Sequence, residues 1–165
     1  MLEDLLFDLK EHKISVIIPV SGKTSYLSDC LDSLVAQEGF NIEVIIVDDR
    51  AEDTLDSILK RYEETLCIKK VVLQEKQGVA AARNLGLSVA EGEFVYFLDS
   101  DDYIFGNTLE ILLHAALVED AQIVFGRKYG TWFKRAVYLD EYYKKWRAKK
   151  VEAAAKEAAL LISPS

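Results

Sequence analysis

Five short apolar runs recur about every 25 residues, and this spacing constrains the fold more than any other feature of the chain. They are Ile14 to Val20 (ISVIIPV), Ile42 to Val47 (IEVIIV), Ile68 to Leu73 (IKKVVL), Phe94 to Leu98 (FVYFL) and Gln122 to Phe125 (QIVF). Each is rich in β-branched or aromatic residues and is more continuously apolar than alternating. That pattern is expected of strands covered on both faces of a parallel sheet. Parallel strands need crossovers, and the segments between them carry helical periodicity: Tyr26, Leu27, Leu31, Leu34 and Val35; Leu55, Ile58, Leu59 and Tyr62; Val79, Ala82, Leu85 and Val89; Leu109, Leu112, Leu113 and Ala116. Thr24 or Ser25, Asp53 and Asn107 stand where helix N-caps are wanted, and Gly39, Gly78, Gly92 and Gly106 punctuate the connections. The predicted fold is a doubly wound, mostly parallel α/β domain over 1–126, with an N-terminal helix at 1–12 and a basic, aromatic, helical tail over 127–165.

Charge divides the chain at the same place. Residues 1–126 hold 10 Lys and Arg against 24 Asp and Glu, whereas 127–165 hold 10 against 4. An acidic main domain argues against nucleic acid as a partner, because phosphate backbones are held by clustered Lys and Arg. No apolar run approaches the roughly 20 residues a spanning helix needs, and the charged start MLEDLLFDLKEHK does not read as a signal peptide. The expected location is cytoplasmic. Cys30 and Cys67 have no C-x-x-C spacing and no histidine nearby, so both are expected to be buried free thiols.

In doubly wound sheets ligands sit beyond the carboxyl ends of the strands, so the residues that follow each run carry the chemistry. After FVYFL comes Asp99-Ser100-Asp101-Asp102. Three carboxylates in four residues repel one another, and a hard divalent cation with oxygen ligands, Mn²⁺ or Mg²⁺, would relieve that and bridge to two phosphates of a nucleotide. A solvated turn is the plainer alternative. Asp48-Asp49 closes the second run, where a carboxylate can accept from a uracil imide or ribose hydroxyls, or close an Asx-turn. Pro19, Val20 and Ser21 offer backbone groups that edge a base. Gly78 to Gly86 (GVAAARNLG) is a small-residue helix carrying Arg83 and Asn84, which either face the ligand end or pair with a carboxylate. Glu119-Asp120 precedes the last run and reads as a surface turn.

The ordered motifs SVIIPV, CLDSLVAQ, VIIVDD, QGVAAARNLG and GEFVYFLDSDD resemble the family 2 glycosyltransferases of GT-A fold, over about residues 13–126. The resemblance implies a transferase taking sugar from a nucleotide-diphospho-sugar, a UDP-sugar foremost, to a glycan or lipid-linked acceptor. It places Asp49 at the nucleobase, Asp101 at the ribose or diphosphate and Asp102 on the metal, with Asp99 opening the D-x-D signature. The nucleotide-sugar set is then Pro19, Val20, Ser21, Asp48, Asp49, Arg83, Asn84, Asp99 and Asp101, and the metal ligands are Asp101 and Asp102. Two departures stand out: Ser21-Gly22 replaces the common Tyr-Asn, and Arg50-Ala51 replaces Gly-Ser, which puts a cation at the expected nucleotide mouth. No general base of the family's acceptor half is identifiable, so this chain alone is expected to bind donor and turn it over slowly.

Two rival classes remain. A sugar-phosphate nucleotidyltransferase would want a Gly-rich basic loop after its first strand, for which Ser21-Gly22-Lys23 is a poor substitute. A noncatalytic, degenerate assembly module would bind no donor. In the tail, 127–150 holds nine Lys and Arg against Asp140 and Glu141, interleaved with Trp132, Phe133, Tyr138, Tyr142, Tyr143 and Trp146. That composition fits peripheral contact with an anionic inner membrane face, or packing on the core or on a second copy as a homodimer. The EAAAK pattern further on resembles a designed helical spacer.

Overall fold

The computed structural model describes residues 9–37 and 39–126. Four strands form one parallel sheet in the order β3-β2-β1-β4: β1 (Lys13–Gly22), β2 (Asn41–Ala51), β3 (Cys67–Val72) and β4 (Phe94–Phe97). Helices α1 (Leu27–Val35), α2 (Asp56–Leu59), α3 (Val79–Ser88) and α4 (Thr108–Val118) provide the crossovers. The chain winds outward from β1 to β3 and then returns to place β4 on the other side of β1. That reversal makes the gap between β1 and β4 the topological switch point, where such sheets bind ligands.

Alternation along the central strands supplies two cores. On one face Ile14, Val16, Ile18 and Val20 of β1 and Val44 and Ile46 of β2 pack against Leu27, Cys30, Leu31 and Leu34 of α1, Leu59 of α2, and Leu109 and Leu113 of α4. On the other, Ile17, Ile45 and Val47 meet Ala82 of α3, with Leu85 beside it. Gly86 explains the closeness of that contact, since a methyl there would run into Ile17 Cγ2 and Val47 Cγ2. Only β1 and β2 are buried on both faces as the apolar runs predict. The edge strand β3 exposes Lys69 and Lys70, and β4 exposes Val95 and Phe97, which share the face of Ile17.

Several expectations are corrected. Residues 122–125 form no strand: Ile123 and Phe125 are 72% and 88% exposed, and an apolar run becomes a strand only when a partner takes its backbone bonds. The second crossover is helical for four residues and continues as turns, because Tyr62 swings onto α1 and bonds Ser28 O and Asp32 Oδ1. None of the expected N-caps makes a side-chain cap bond. Asp53 instead accepts from Thr24 N and Oγ1, which ties the β1–α1 and β2–α2 loops together. Cys30 is buried but Cys67 is exposed, and both thiols are free. Glu119-Asp120 is an exposed turn as expected. Residues 9–11 are helical with Leu9 in the core, while the rest of the predicted N-terminal helix and the whole tail from 127 lie outside the described residues. No helix among the described residues is long and apolar enough to cross a membrane.

The end of the sheet away from the switch point is locked by one buried acid. Glu43, 4% exposed, accepts from the Ser15 hydroxyl, from Glu91 N at 2.6 Å and Gly92 N at 3.0 Å, and from Lys13 Nζ at 3.1 Å. Burial pushes its carboxyl up, but those donors outweigh burial and hold it below its ordinary value. Glu91, bonded to Lys13, is lowered as well. Both acids therefore bind protons less readily folded than unfolded. They stabilise the fold above the unfolded carboxyl value of 4.5, and that contribution is lost as pH falls through the lower folded values. Urea midpoints should drop as pH falls below the unfolded value of 4.5, and Glu43→Gln should flatten that drop. An unchanged slope in the variant would remove Glu43 as its source.

Candidate functional site

A cavity of about 260 Å³ opens at the carboxyl ends of β1, β2 and β4 and at the start of α3. From β1 come Pro19 and Ser21, and beyond it Lys23; from β2 comes Asp49. Val79 and Ala82 of α3 form an apolar wall, and Asp99, Ser100 and Asp101 face it from the loop after β4. The sequence thus brings together residues 80 positions apart, as strand order 2-1-4 requires of adjacent carboxyl ends.

Each acidic residue has a distinct setting. Asp99 Oδ1 accepts from Arg83 Nη2 at 2.7 Å, and the Arg83 guanidinium lies over the Phe97 ring, 5.8 Å from its centroid. Of the two roles open to Arg83, the structure shows pairing with a carboxylate. Both side chains are more than a third exposed, so the pair contributes little stability and serves mainly to orient Asp99. Asp101 is exposed on the cavity wall. Asp102 donates its backbone N–H to Asp99 O at 2.9 Å, closing the turn, and its side chain is not part of the wall. Burial, and then the charges of Asp102, Asp101 and Asp99, push the Cys30 thiol far up, so Cys30 stays a protonated thiol beneath the acidic loop and is no nucleophile.

Asp49 is 1% exposed, and its two oxygens accept from Gln77 N and Gly78 N at 2.8 Å each. It builds the turn that launches α3, where Gly78 takes φ +88°, a conformation that glycine reaches without strain. Asp48 Oδ1 accepts from Ala51 N at 2.9 Å, the Asx-turn alternative of the sequence reading. Val20 is fully buried, so only its backbone is available to a ligand, and Asn84 is exposed away from the wall.

Arg50 does not line the cavity. It sits at φ +59° with its guanidinium donating to Gln74 O. A left-handed backbone costs a side-chain-bearing residue on the order of 1 kcal/mol, which accounts physically for the glycine common at this position in the resembling family. The cation on the wall is Lys23, which sequence reasoning missed along with Val79, Ala82 and Ser100. Position was the available signal: Lys23 follows β1 at the end where ligands bind.

The oxygens of Asp99, Ser100 and Asp101 suit a hard cation. Among the described residues no group of three His, Cys, Asp or Glu converges on one point. The residues therefore fit a Mn²⁺ or Mg²⁺ held jointly by one or two carboxylates and a ligand's phosphates, which is how Mg²⁺ is commonly bound, and not a closed protein cage.

A family model described as Glycosyl transferase family 2 matches residues 15–156. The glycosyltransferase GlyA of Streptococcus pneumoniae is 35% identical over 142 residues, spanning 83% of this chain and 20% of GlyA. The crystal structure of S. aureus TarS 1–349 in complex with UDP-GlcNAc superposes with a TM-score of 0.58 at 34% identity, over 72% of this chain and 37% of that one. The mannosyltransferase PcManGT of Pyrobaculum calidifontis, in complex with GDP-Man and Mn²⁺, superposes with a TM-score of 0.58 at 28% identity, over 62% of this chain and 32% of that one. The chain thus spans well under half the length of these relatives.

Proposed function

The chain belongs to glycosyl transferase family 2 and carries its GT-A-like α/β fold, and from that premise we propose that the cavity binds a nucleotide-diphospho-sugar, a UDP-sugar, for transfer to a glycan or lipid-linked acceptor. The observation that carries the reading is the cavity at the β1–β4 switch point, lined by Asp99, Ser100 and Asp101 together with Lys23. Pro19, Ser21 and the Asp49 region edge the nucleobase. Asp101 leads the metal ligands, with Asp102 next to it in the turn. A bound divalent cation would neutralise the charge that develops on the departing diphosphate. Lys23 adds a positive charge at the cavity lining, and the Arg83 pair holds Asp99 ready. The relatives solved with UDP-GlcNAc and with GDP-Man and Mn²⁺ support donor and cation together.

The test is a calorimetric titration of the full chain with UDP, in Mn²⁺ and in EDTA. Binding in Mn²⁺ should be at least about tenfold tighter than in EDTA, because the acidic wall repels a diphosphate that arrives without its cation. Equal affinities would remove the metal bridge. No binding to UDP or GDP in either buffer would favour the noncatalytic module.

A further inference from the structure

One face of α1 bonds the acidic loop and the segment after it. Cys30 and Ser33 of α1, whose other buried residues are leucines, and Gln37 just past its C-cap Ala36 recur three and four residues apart, all buried. Polar side chains are buried at that density only when each has a partner. Two of the bonds stay local, Ser33 Oγ to Cys30 O and Gln37 Nε2 to Ser33 O, and the others reach the segment that follows β4. Cys30 Sγ donates to Asp99 O at 3.7 Å. Ser33 Oγ donates to Cys30 O at 2.6 Å and accepts from Ile104 N at 3.1 Å. Gln37 Nε2 donates to Phe105 O at 2.6 Å, and its Oε1 accepts from Leu109 N at 3.1 Å.

The last of these bonds replaces a cap. Asn107 occupies the N-cap position of α4 but makes no cap bond, and its buried Oδ1 has no partner among the described residues. Leu109 N, in the first turn, is satisfied by Gln37 from another element. The loop from Asp99 to the start of α4 is therefore fixed at Asp99 and Ile104 by α1 and at Phe105 and Leu109 by Gln37 just beyond it, and neither α1 nor Gln37 lines the cavity.

We infer that Ser33 and Gln37 are positioning residues for the Asp99–Asp102 carboxylates, holding the acidic loop in its cation-binding shape before a cation arrives. Like charges crowded into four residues push the loop open, and the bonds from α1 and Gln37 oppose that push. The inference rests on the donor-site reading above.

The test uses the full chain with Ser33→Ala, which deletes one acceptor and little volume, alongside Gln37→Met and the hydroxyl-keeping Ser33→Thr. Hydrogen exchange, UDP titration in Mn²⁺ and UDP titration in EDTA are the three measurements. For Ser33→Ala, amides over 101–105 should exchange about tenfold faster while β1 and β2 stay protected. UDP affinity in Mn²⁺ should fall about tenfold, affinity in EDTA should stay within twofold, and Ser33→Thr should restore both readouts. Gln37→Met should shift the exchange effect towards 105–109. Faster loop exchange with unchanged affinity in Mn²⁺ would make the bonds merely structural and overturn the inference. An equal loss in Mn²⁺ and EDTA, or exchange rising across β1 and β2 in both Ser33→Ala and Gln37→Met, would overturn it too. A wild-type chain with no metal-dependent UDP binding would instead fail the donor-site reading, and the inference with it, whatever the variants do.

Discussion

Asp101→Asn is expected to weaken UDP binding in Mn²⁺ by about 100-fold or more while leaving binding in EDTA and the melting temperature essentially unchanged. The size follows from the setting of each acid. Asp99 already shares one oxygen with Arg83, and Asp102 does not line the cavity, so Asp101 is the acid on that wall with no hydrogen-bond donor among the described residues and most open to a cation. Losing groups that merely support metal ligands costs 10- to 100-fold, so losing a ligand from a site with so few should cost at least the upper end. The amide is nearly isosteric and removes one of three like charges, so the fold should be intact or slightly firmer. Asp102→Asn is the internal comparison: if it matches Asp101→Asn, both acids hold the cation, and if it is milder, Asp101 dominates. Undiminished affinity in Asp101→Asn would end the assignment, and loss of folded protein would recast the residue as structural.

What the sequence made legible was the part governed by local pattern. Continuous β-branched runs marked β1 and β2 because those strands are buried on both faces, and the acids after β2 and β4 marked the ligand end because strand termini set where side chains leave the sheet. What it could not show depended on partners far away in sequence. QIVF has strand composition but no strand to pair with among the described residues. Asp53 has an N-cap's chemistry, yet Thr24 competes for its carboxylate. Arg50 carried the charge expected at the mouth, but a positive φ aims its side chain at Gln74 and leaves Lys23 on the wall. The bonds of Ser33 and Gln37 were not legible, because nothing in CLDSLVAQ reveals that its serine and glutamine serve a loop about 70 residues on.

Gly92→Ala is expected to cost about 3 to 5 kcal/mol, a large share of the roughly 5 to 15 available to a domain of this size. An ideal methyl there would lie 2.5 Å from Ser15 N and Oγ and 2.9 Å from Lys13 O. These are mostly backbone atoms of β1, which is paired with β2 on one side and β4 on the other, so they cannot step aside without breaking the sheet. The glycine's own segment must move instead, and it is bonded: Gly92 N reaches Ser15 Oγ at 2.7 Å and Glu43 Oε1 at 3.0 Å. Overpacking contributes about 1 to 3 kcal/mol, and a buried carboxylate stripped of donors adds a similar amount. Gly78→Ala makes the contrast. No atom lies within 4 Å of a methyl at that position, so only its φ of +88° opposes the change, at about 1 to 2 kcal/mol. Thermal and urea melts should therefore rank Gly92→Ala well below Gly78→Ala. Because Gly92 and Glu43 share one network, the double variant Gly92→Ala/Glu43→Gln should be less destabilised than the sum of the single changes. Strict additivity would mean that the clash acts without disturbing Glu43, and a Gly92→Ala cost under about 1 kcal/mol would mean that the loop moves aside freely.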